Sequence, residues 1–124
     1  MLKLSTVFVF SEKPKDLAKF YSRILDAEPA WKDGDYSGFD TGQGMLIVGM
    51  HDKVHGKNTA PERIMFNLET EDVGSEFERI RKMGTRVIQG PYNPGEDESM
   101  TIATFADPDG NYFQVVSPFK GMPD

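Results

Sequence analysis

Side chains that could carry chemistry are few in this sequence, and most lie outside the segments with a strand or helix pattern. There is no cysteine, which excludes disulfides, thiolate metal sites and cysteine nucleophiles. The two histidines, His51 and His55, belong to a polar stretch without a third ligand, so we interpret them as exposed loop residues. If Val48 and Met50 face a binding site, alternation predicts that His51 faces away from it. No Ser–His–Asp order, paired-carboxylate motif or phosphate-binding glycine loop stands out.

Three polar residues remain as candidates for direct contact with a ligand. Arg63 could bind a carboxylate or phosphate through its guanidinium group, unless it pairs with Glu62 or Glu69. Gln114 and Thr6 could orient a carbonyl or hydroxyl group of a ligand, unless they only make internal hydrogen bonds within a filled core.

Composition and charge exclude several classes of function. The chain has 124 residues and a net charge of −6, and its basic residues are scattered, which disfavours nucleic acid and anionic membranes as partners. No stretch approaches the roughly 20 apolar residues that span a bilayer. The first residues do not resemble a signal peptide. We therefore expect one domain, over residues 1–124, in the cytoplasm.

The elements that must position the candidate residues occur twice in the same order. In residues 1–52 the patterns predict a strand, a helix capped by Ser11, and three strands: Leu4–Phe10, a helix from Pro14 to near Asp26, Ala30–Lys32, Tyr36–Asp40 and Met45–Met50. A polar linker follows at residues 53–60. Residues 61–124 repeat the order: Arg63–Leu68, a helix from Asp72 to Gly84, Thr85–Gln89, Met100–Phe105 and Tyr112–Ser117. This order predicts an α+β fold of two tandem βαβββ units.

Three short motifs give the repeat a family resemblance. They are Phe20-Tyr21 followed by Ile24-Leu25, the helix end Phe77–Gly84, and the strand–turn–strand segment Thr104–Tyr112 with its Asp-Pro-Asp-Gly-Asn turn. Together they resemble the vicinal oxygen chelate superfamily, the glyoxalase/bleomycin-resistance/dioxygenase group. The turn also has a purely structural role, because Asp, Pro and Gly each favour a tight reversal. The resemblance implies a curved mixed sheet around a shared cleft, and a homodimer.

The resemblance also implies where a metal ion would bind, namely at one position on the first and last strand of each unit. Those positions fall at Thr6, Val48, Arg63 (or Met65) and Gln114. None of these side chains is a good ligand for a divalent metal ion. We therefore predict no metal and no cofactor, and the lyase, isomerase and dioxygenase activities of the family are all in doubt.

What remains in the expected cleft is mostly apolar and aromatic, as in many small-molecule pockets. Strand alternation predicts that it is lined by Thr6, Phe8, Leu46, Val48, Met50, Arg63, Met65, Asn67, Tyr112 and Gln114. Trp31, Tyr36 and Tyr92 are predicted near its mouth, with Trp31 a ligand contact. The Gly/Pro-rich, acidic segment Gly90–Glu98 is expected to be a loop, either a flap over the second unit or simply solvated.

These features favour a metal-free binding protein of the bleomycin-resistance type that takes up a small, partly apolar molecule. The alternative is an enzyme of the same superfamily, either a metal-dependent lyase or dioxygenase with atypical ligands or a metal-free catalyst. A third possibility is a structural module whose core is closed. The fold by itself does not choose among them, because one scaffold hosts several chemistries.

Overall fold

The chain folds into two units, each with one four-stranded sheet and one helix. A computed structural model describes residues 1–95 and 99–118. The first unit is Met1–Lys57 and the second begins at Asn58. The predicted α+β fold of two βαβββ units is confirmed. The acidic residues 96–98 of the predicted loop, and residues 119–124 of the predicted second unit, lie outside the described residues.

The first unit follows the predicted order closely. Its elements are β1 (Thr6–Phe10), α1 (Pro14–Leu25), β2 (Trp31–Asp33), β3 (Tyr36–Asp40) and β4 (Met45–Gly49). The sheet order is β1-β4-β3-β2, with β1 parallel to β4 and the other pairs antiparallel. No helix in the described part of the chain is long and apolar enough to cross a membrane.

Local chemistry sets both ends of α1. Pro14 occupies the first turn, where its missing N–H costs nothing. Ser11 does not take the cap position predicted for it; its hydroxyl instead accepts a hydrogen bond from the N–H of Lys13, the residue that precedes the helix. Asp26 ends the helix in a left-handed conformation, with φ of 50°. Its N–H donates to the carbonyl of Arg23 at 3.3 Å, so the last turn is closed as in other left-handed caps.

The second unit repeats this plan with a longer edge strand. Its elements are β5 (Phe66–Glu69), α2 (Val73–Lys82), β6 (Arg86–Tyr92), β7 (Ile102–Ala106) and β8 (Tyr112–Val116), in the sheet order β5-β8-β7-β6. Asp72 caps α2 by accepting hydrogen bonds from the N–H and hydroxyl of Ser75, at 3.0 and 2.8 Å. These bonds, the backbone one first, lower the pKa of the Asp72 carboxyl.

Two predicted boundaries in the second unit are wrong. The strand expected from Arg63 begins at Phe66, because Arg63 lies in a turn in which its N–H donates to the carbonyl of Ala60 at 3.2 Å. The loop expected from Gly90 begins later, because β6 continues through Pro91 to Tyr92. Register shifts interrupt its pairing with β7. An edge strand with such irregularities tolerates proline, which has no N–H to donate.

One face of each sheet packs against the helix of its own unit. In the second unit the rings of Phe77 from α2 and Phe105 from β7 are 5.4 Å apart. Phe113 stacks on Phe105 at 5.6 Å, and Phe66 on Phe113 at 6.1 Å. The first unit has buried side chains on both elements. Those of α1 include Leu17, Tyr21 and Ile24, and those of the sheet include Val9, Phe39, Leu46 and Val48. The opposite face of each sheet has no helix of its own unit.

The turn between β7 and β8 is held by one buried carboxylate. Asp107, which is 5% exposed, accepts hydrogen bonds from the N–H groups of Asp109 and Asn111 at 2.9 and 3.0 Å, and from the Asn111 amide at 2.9 Å. This turn also holds the start of the second unit. The N–H of Asn58 donates to the carbonyl of Asp109, and its side-chain amide donates to the amide oxygen of Asn111. Asp109, by contrast, has a carboxylate oxygen without a hydrogen-bond partner among the described residues.

We expect Asp107→Ala to lower the free energy of unfolding by about 3 kcal/mol, because buried N–H groups lose a charged acceptor. Asp109→Ala is the matched control in the same turn and should cost less than about 1 kcal/mol, since no described hydrogen bond to its side chain is lost. Urea denaturation measures both values. Equal losses for the two variants would contradict this account of the turn.

Candidate functional site

The face of the first sheet that lies opposite α1 carries two of the predicted ligand contacts. Thr6 is in register with Met45, and Phe8 with Ile47. Paired residues of neighbouring strands share a face, and alternate residues change face. Thr6 and Phe8 therefore lie together, as predicted, and Phe8 is 53% exposed.

Leu46 and Val48 were predicted on that same face, and this is wrong. Val48 is in register with Val9, and Leu46 with Val7, so both belong to the other face. Val48 is also in register with Ser37, which lines a groove together with residues of α1. Val48 therefore faces the helix and is fully buried.

Four aromatic rings cover much of the open face, and we call Phe8, Phe10, Trp31 and Tyr36 the aromatic face. Phe8 and Phe10 stack with centroids 5.5 Å apart, and Tyr36 meets Phe10 edge-on at 6.5 Å. Trp31 is 39% exposed. Rings of this kind bind planar or apolar groups by stacking and by removing apolar surface from water.

Two glycines make room for two of these rings. A Cβ atom added at Gly38 would lie 2.3 Å from the indole of Trp31, and one added at Gly49 would lie 2.3 Å from the ring of Tyr36. The rings therefore rest directly on the backbone of the sheet. The hydroxyl of Tyr36 is fixed by donation to the carbonyl of Met50 at 3.1 Å.

The predicted directions of Met50 and His51, the two residues that follow β4, are both wrong. Met50 was expected beside Thr6 and Phe8, but it lines a shallow groove together with residues from the start of α1. His51 was expected to face away, yet its imidazole lies 5.4 Å from the ring of Phe10. The strand ends at Gly49, so simple alternation no longer applies to residues 50 and 51. The Nδ1 atom of His51 accepts from the N–H of Lys53 at 3.1 Å and lies 3.3 Å from a carboxylate oxygen of Asp52.

His55, also predicted to be a loop residue, forms part of a tether between the linker and the start of α1. Its Nδ1 atom is 3.5 Å from a carboxylate oxygen of Glu12, and its side chain is 71% exposed. The other oxygen of Glu12 accepts a hydrogen bond from the N–H of Gly56. The Gly56 bond first, and the His55 bond second, lower the pKa of the Glu12 carboxyl.

The open face of the second sheet carries a row of polar side chains, one from each strand. Asn67 is in register with Gln114, Gln114 with Thr104, and Thr104 with Gln89. We call these four residues the polar row. The amide of Gln114 donates to the Thr104 hydroxyl at 3.0 Å, and Asn67 and Gln89 are exposed at the two ends. The row offers neutral donors and acceptors to a ligand.

The structure brings the predicted residues Asn67 and Gln114 together, and strand alternation places Tyr112 on the same face. It does not add Arg63, which lies in the turn before β5 and is exposed. Of the two residues considered as the counterpart of Thr6, Met65 has the equivalent place. Met65 lies eight positions before Val73, the first residue of α2, and Thr6 likewise lies eight positions before Pro14, the first residue of α1.

Sequence reasoning missed Thr104 and Gln89 as partners in the polar row. Thr104 is buried, with 6% of its surface exposed. It was overlooked because it is the one polar residue in β7, a strand whose other residues are apolar. The available signal was alternation: the hydroxyl stands on the opposite face from both apolar neighbours.

The corrected register also changes one predicted metal-binding position. Because β4 and β8 are five-residue strands with the same burial pattern, the counterpart of Gln114 is Ile47 and not Val48. The four equivalent positions are thus Thr6, Ile47, Met65 and Gln114. Within residues 1–95 and 99–118, no group of three or more His, Cys, Asp or Glu side chains is placed to hold a metal ion.

A family model described as a glyoxalase-like domain matches residues 6–116. The chain belongs to this glyoxalase-like family. The match includes all eight strands and both helices, and so confirms the superfamily that the three motifs indicated. No curated protein sequence matches this glyoxalase-like chain.

Solved structures share the fold at low sequence identity. A glyoxalase/bleomycin resistance protein/dioxygenase superfamily member from Sphaerobacter thermophilus matches with a TM-score of 0.75 and 15% identity, over 95% of this chain and 98% of its own. A glyoxalase-related enzyme from Fulvimarina pelagi matches with a TM-score of 0.75 and 13% identity, over 95% and 89%. A family enzyme from Burkholderia phytofirmans matches with 0.72 and 17%, over 93% and 98%. At such identities the likeness concerns the fold alone.

Gly38→Ala should displace the indole of Trp31 and lower the free energy of unfolding by about 1–3 kcal/mol, because the new methyl group overlaps the ring. Trp31 is the sole tryptophan, so its fluorescence emission should shift in the same variant. In a Trp31→Ala background the cost of Gly38→Ala should fall below about 1 kcal/mol. An unchanged emission spectrum, or an unchanged cost in that background, would contradict the contact.

The Glu12 tether should respond to pH. Its folded-state pKa lies below the ordinary value, so the tether is stabilising above the unfolded pKa of about 4.3 and is lost as the pH falls through the lowered value. The amide resonance of Gly56, followed by NMR, should titrate with a midpoint below that value. Glu12→Gln should abolish the transition; a midpoint above the ordinary range would sink the idea.

Proposed function

We propose that this chain is a glyoxalase-like protein that binds a small, partly apolar molecule without the help of a metal ion. The observation that carries the proposal is the aromatic face, where rings rest on Gly38 and Gly49 and remain partly exposed. Several partly exposed rings on one face, among them Phe8 at 53% and Trp31 at 39%, form the kind of apolar patch that marks ligand-binding or interaction surfaces.

The kind of ligand follows from the chemistry of this face. Phe8 and Trp31 offer flat apolar surfaces, and Thr6, two residues before Phe8 on β1, offers one hydroxyl group. Planar aromatic or heteroaromatic compounds fit such a surface better than sugars or highly charged metabolites. The polar row is a second candidate contact surface, suited to carbonyl, hydroxyl or carboxamide groups.

The absence of a metal requirement is supported by residue types at the equivalent strand positions. Ile47 has no donor atom, Met65 offers a thioether, and Thr6 and Gln114 offer neutral oxygens. Zn²⁺, Ni²⁺ and Fe²⁺ prefer imidazole, carboxylate or thiolate ligands. These residues suit a ligand's own polar groups better than a divalent ion.

The test uses chelator-treated protein and a panel of planar aromatic compounds that carry a carbonyl or carboxamide group. A ligand should quench or shift the fluorescence of Trp31, and Phe8→Ala should weaken its binding at least tenfold, since a phenyl ring buried on binding contributes about 1.5–3 kcal/mol. Thr6→Val, on the same face of the same unit, should weaken compounds with a carboxamide more than those without one, because their hydrogen bond to the hydroxyl group is lost.

Phe20→Ala is the matched control, because it removes the same ring from the half-buried side of α1, where it contacts Tyr21. It should leave the affinity within about twofold. The proposal fails if Phe8→Ala and Phe20→Ala have equal effects. It also fails if binding or turnover requires a stoichiometric divalent ion, which would favour the metal-dependent alternative. The homodimer expected from the resemblance stays a prediction that light scattering can test.

A further inference from the structure

We propose that the groove between α1 and the β2–β3 hairpin is a second binding site, for a small molecule with several anionic groups such as phosphates or carboxylates. This site lies on the helix side of the first sheet, because its floor includes Ser37, which is in register with the buried Val48. It is therefore separate from the aromatic face, and it does not depend on the proposed function.

The groove has the size and the boundaries of a ligand site. Its volume is about 510 Å³, within the range of roughly 300–1,000 Å³ that is usual for small-molecule pockets. One wall is a stripe of α1 that includes Ala18 and Ser22, and the other is formed by Pro29 and the turn at Gly34. The whole groove is built from one unit.

Charge gives the groove its specificity. Four cationic side chains line it, Lys15, Lys19, Arg23 and Lys32, together with two carboxylates, Glu28 and Asp35. The groove thus has a net charge of +2, in a chain whose net charge is −6. A local reversal of sign attracts anionic ligands to this place and away from the rest of the surface.

Three of these cations are available to a ligand. In the part of the chain that the structure describes, no hydrogen bond or ion pair involves the ammonium groups of Lys15, Lys19 or Lys32. By contrast, Arg79 and Arg81 on α2 are each bound to a glutamate three residues earlier. The lysines of the groove therefore lose no internal partner when an anion binds.

The spacing of the cations indicates a ligand with more than one anionic group. Lys15, Lys19 and Arg23 follow one another at four-residue intervals along α1, so neighbouring side chains start about 5–6 Å apart and the row is about 12 Å long. Lys32 faces this row from the sheet. A single phosphate reaches one or two of these groups, whereas a chain of phosphates reaches several.

Isothermal titration calorimetry with inorganic triphosphate tests the site, and amide chemical shifts locate it. Triphosphate should bind at least tenfold more tightly than orthophosphate and should shift the amides of Ser22 and Ser37. The triple variant Lys15→Gln, Lys19→Gln, Lys32→Gln should weaken triphosphate binding at least tenfold. Glu28→Gln combined with Asp35→Asn should strengthen it several-fold, because two opposing charges are removed.

The matched control is Lys3→Gln, Lys53→Gln, Lys57→Gln, which removes the same three charges from exposed lysines of the same unit outside the groove. It should change the affinity less than twofold, and thermal unfolding verifies that both triple variants are folded. Equal weakening by the two triples would mean nonspecific attraction and would overturn the site, as would no binding to the wild-type chain at millimolar triphosphate. Phe8→Ala should leave triphosphate binding unchanged, so failure here and failure of the proposed function are distinguishable.

Discussion

The alternation of side chains along paired strands is the constraint on which the rest of this structure depends. Each sheet has a helix of its own unit on one side only, so alternate residues of a strand face that helix or the open side. Val48 and Val9 belong to the first set, and Thr6 and Phe8 to the second. A shift of one residue in any strand would exchange the two sets and expose the core. The composition of the open faces follows from this division.

Glycine determines what the open face of the first sheet can hold. At Gly38 and Gly49 the backbone itself is the surface, and the rings of Trp31 and Tyr36 occupy the space in which other residues have a Cβ atom. Neither glycine has the positive φ angle that only glycine adopts easily. Their role is close approach of a ring and not a special backbone conformation. Within a strand, glycine is a cost to stability unless something packs against it, and here an aromatic ring does.

The sequence predicted the order of elements well, because hydrophobic alternation and turn chemistry are local signals. Tyr36–Asp40 has the bounds that were predicted, and the turn after Ala106 is held by Asp107 as its composition indicated. The prediction of which β4 residues face the open side was wrong because the turns before β4 and β8 differ in length by one residue. Thr41 to Gly44 join β3 to β4 with four residues, whereas Asp107 to Asn111 join β7 to β8 with five. Aligning the two turns at their glycines therefore moved Val48 into the place of Ile47.

The wrong predictions for His51 and Arg63 have a different cause. His51 and Arg63 lie just outside strands, where side-chain direction is set by local turns and ring contacts and no longer by alternation. The ring of Phe10 attracts the imidazole of His51, and a turn with Ala60 removes Arg63 from the sheet. The polar row could be predicted only in part, since Gln114 stood at a family position but Thr104 and Gln89 are recognised through register alone.

The chemistry of the polar row bears directly on binding versus catalysis. Its amides and hydroxyl keep the same ionisation state across the physiological pH range, so they can orient a ligand but not exchange protons with it as a general acid or base does. Beside the aromatic face, the imidazole of His51 lies 5.4 Å from the ring of Phe10. Its Nδ1 atom is occupied by the N–H of Lys53 and lies near Asp52, so within residues 1–95 and 99–118 Nε2 is the ring nitrogen left to meet a ligand. Orienting a ligand therefore needs nothing beyond the groups in place, whereas proton transfer at the aromatic face would need an ionisable group such as His51 or the hydroxyl of Tyr36.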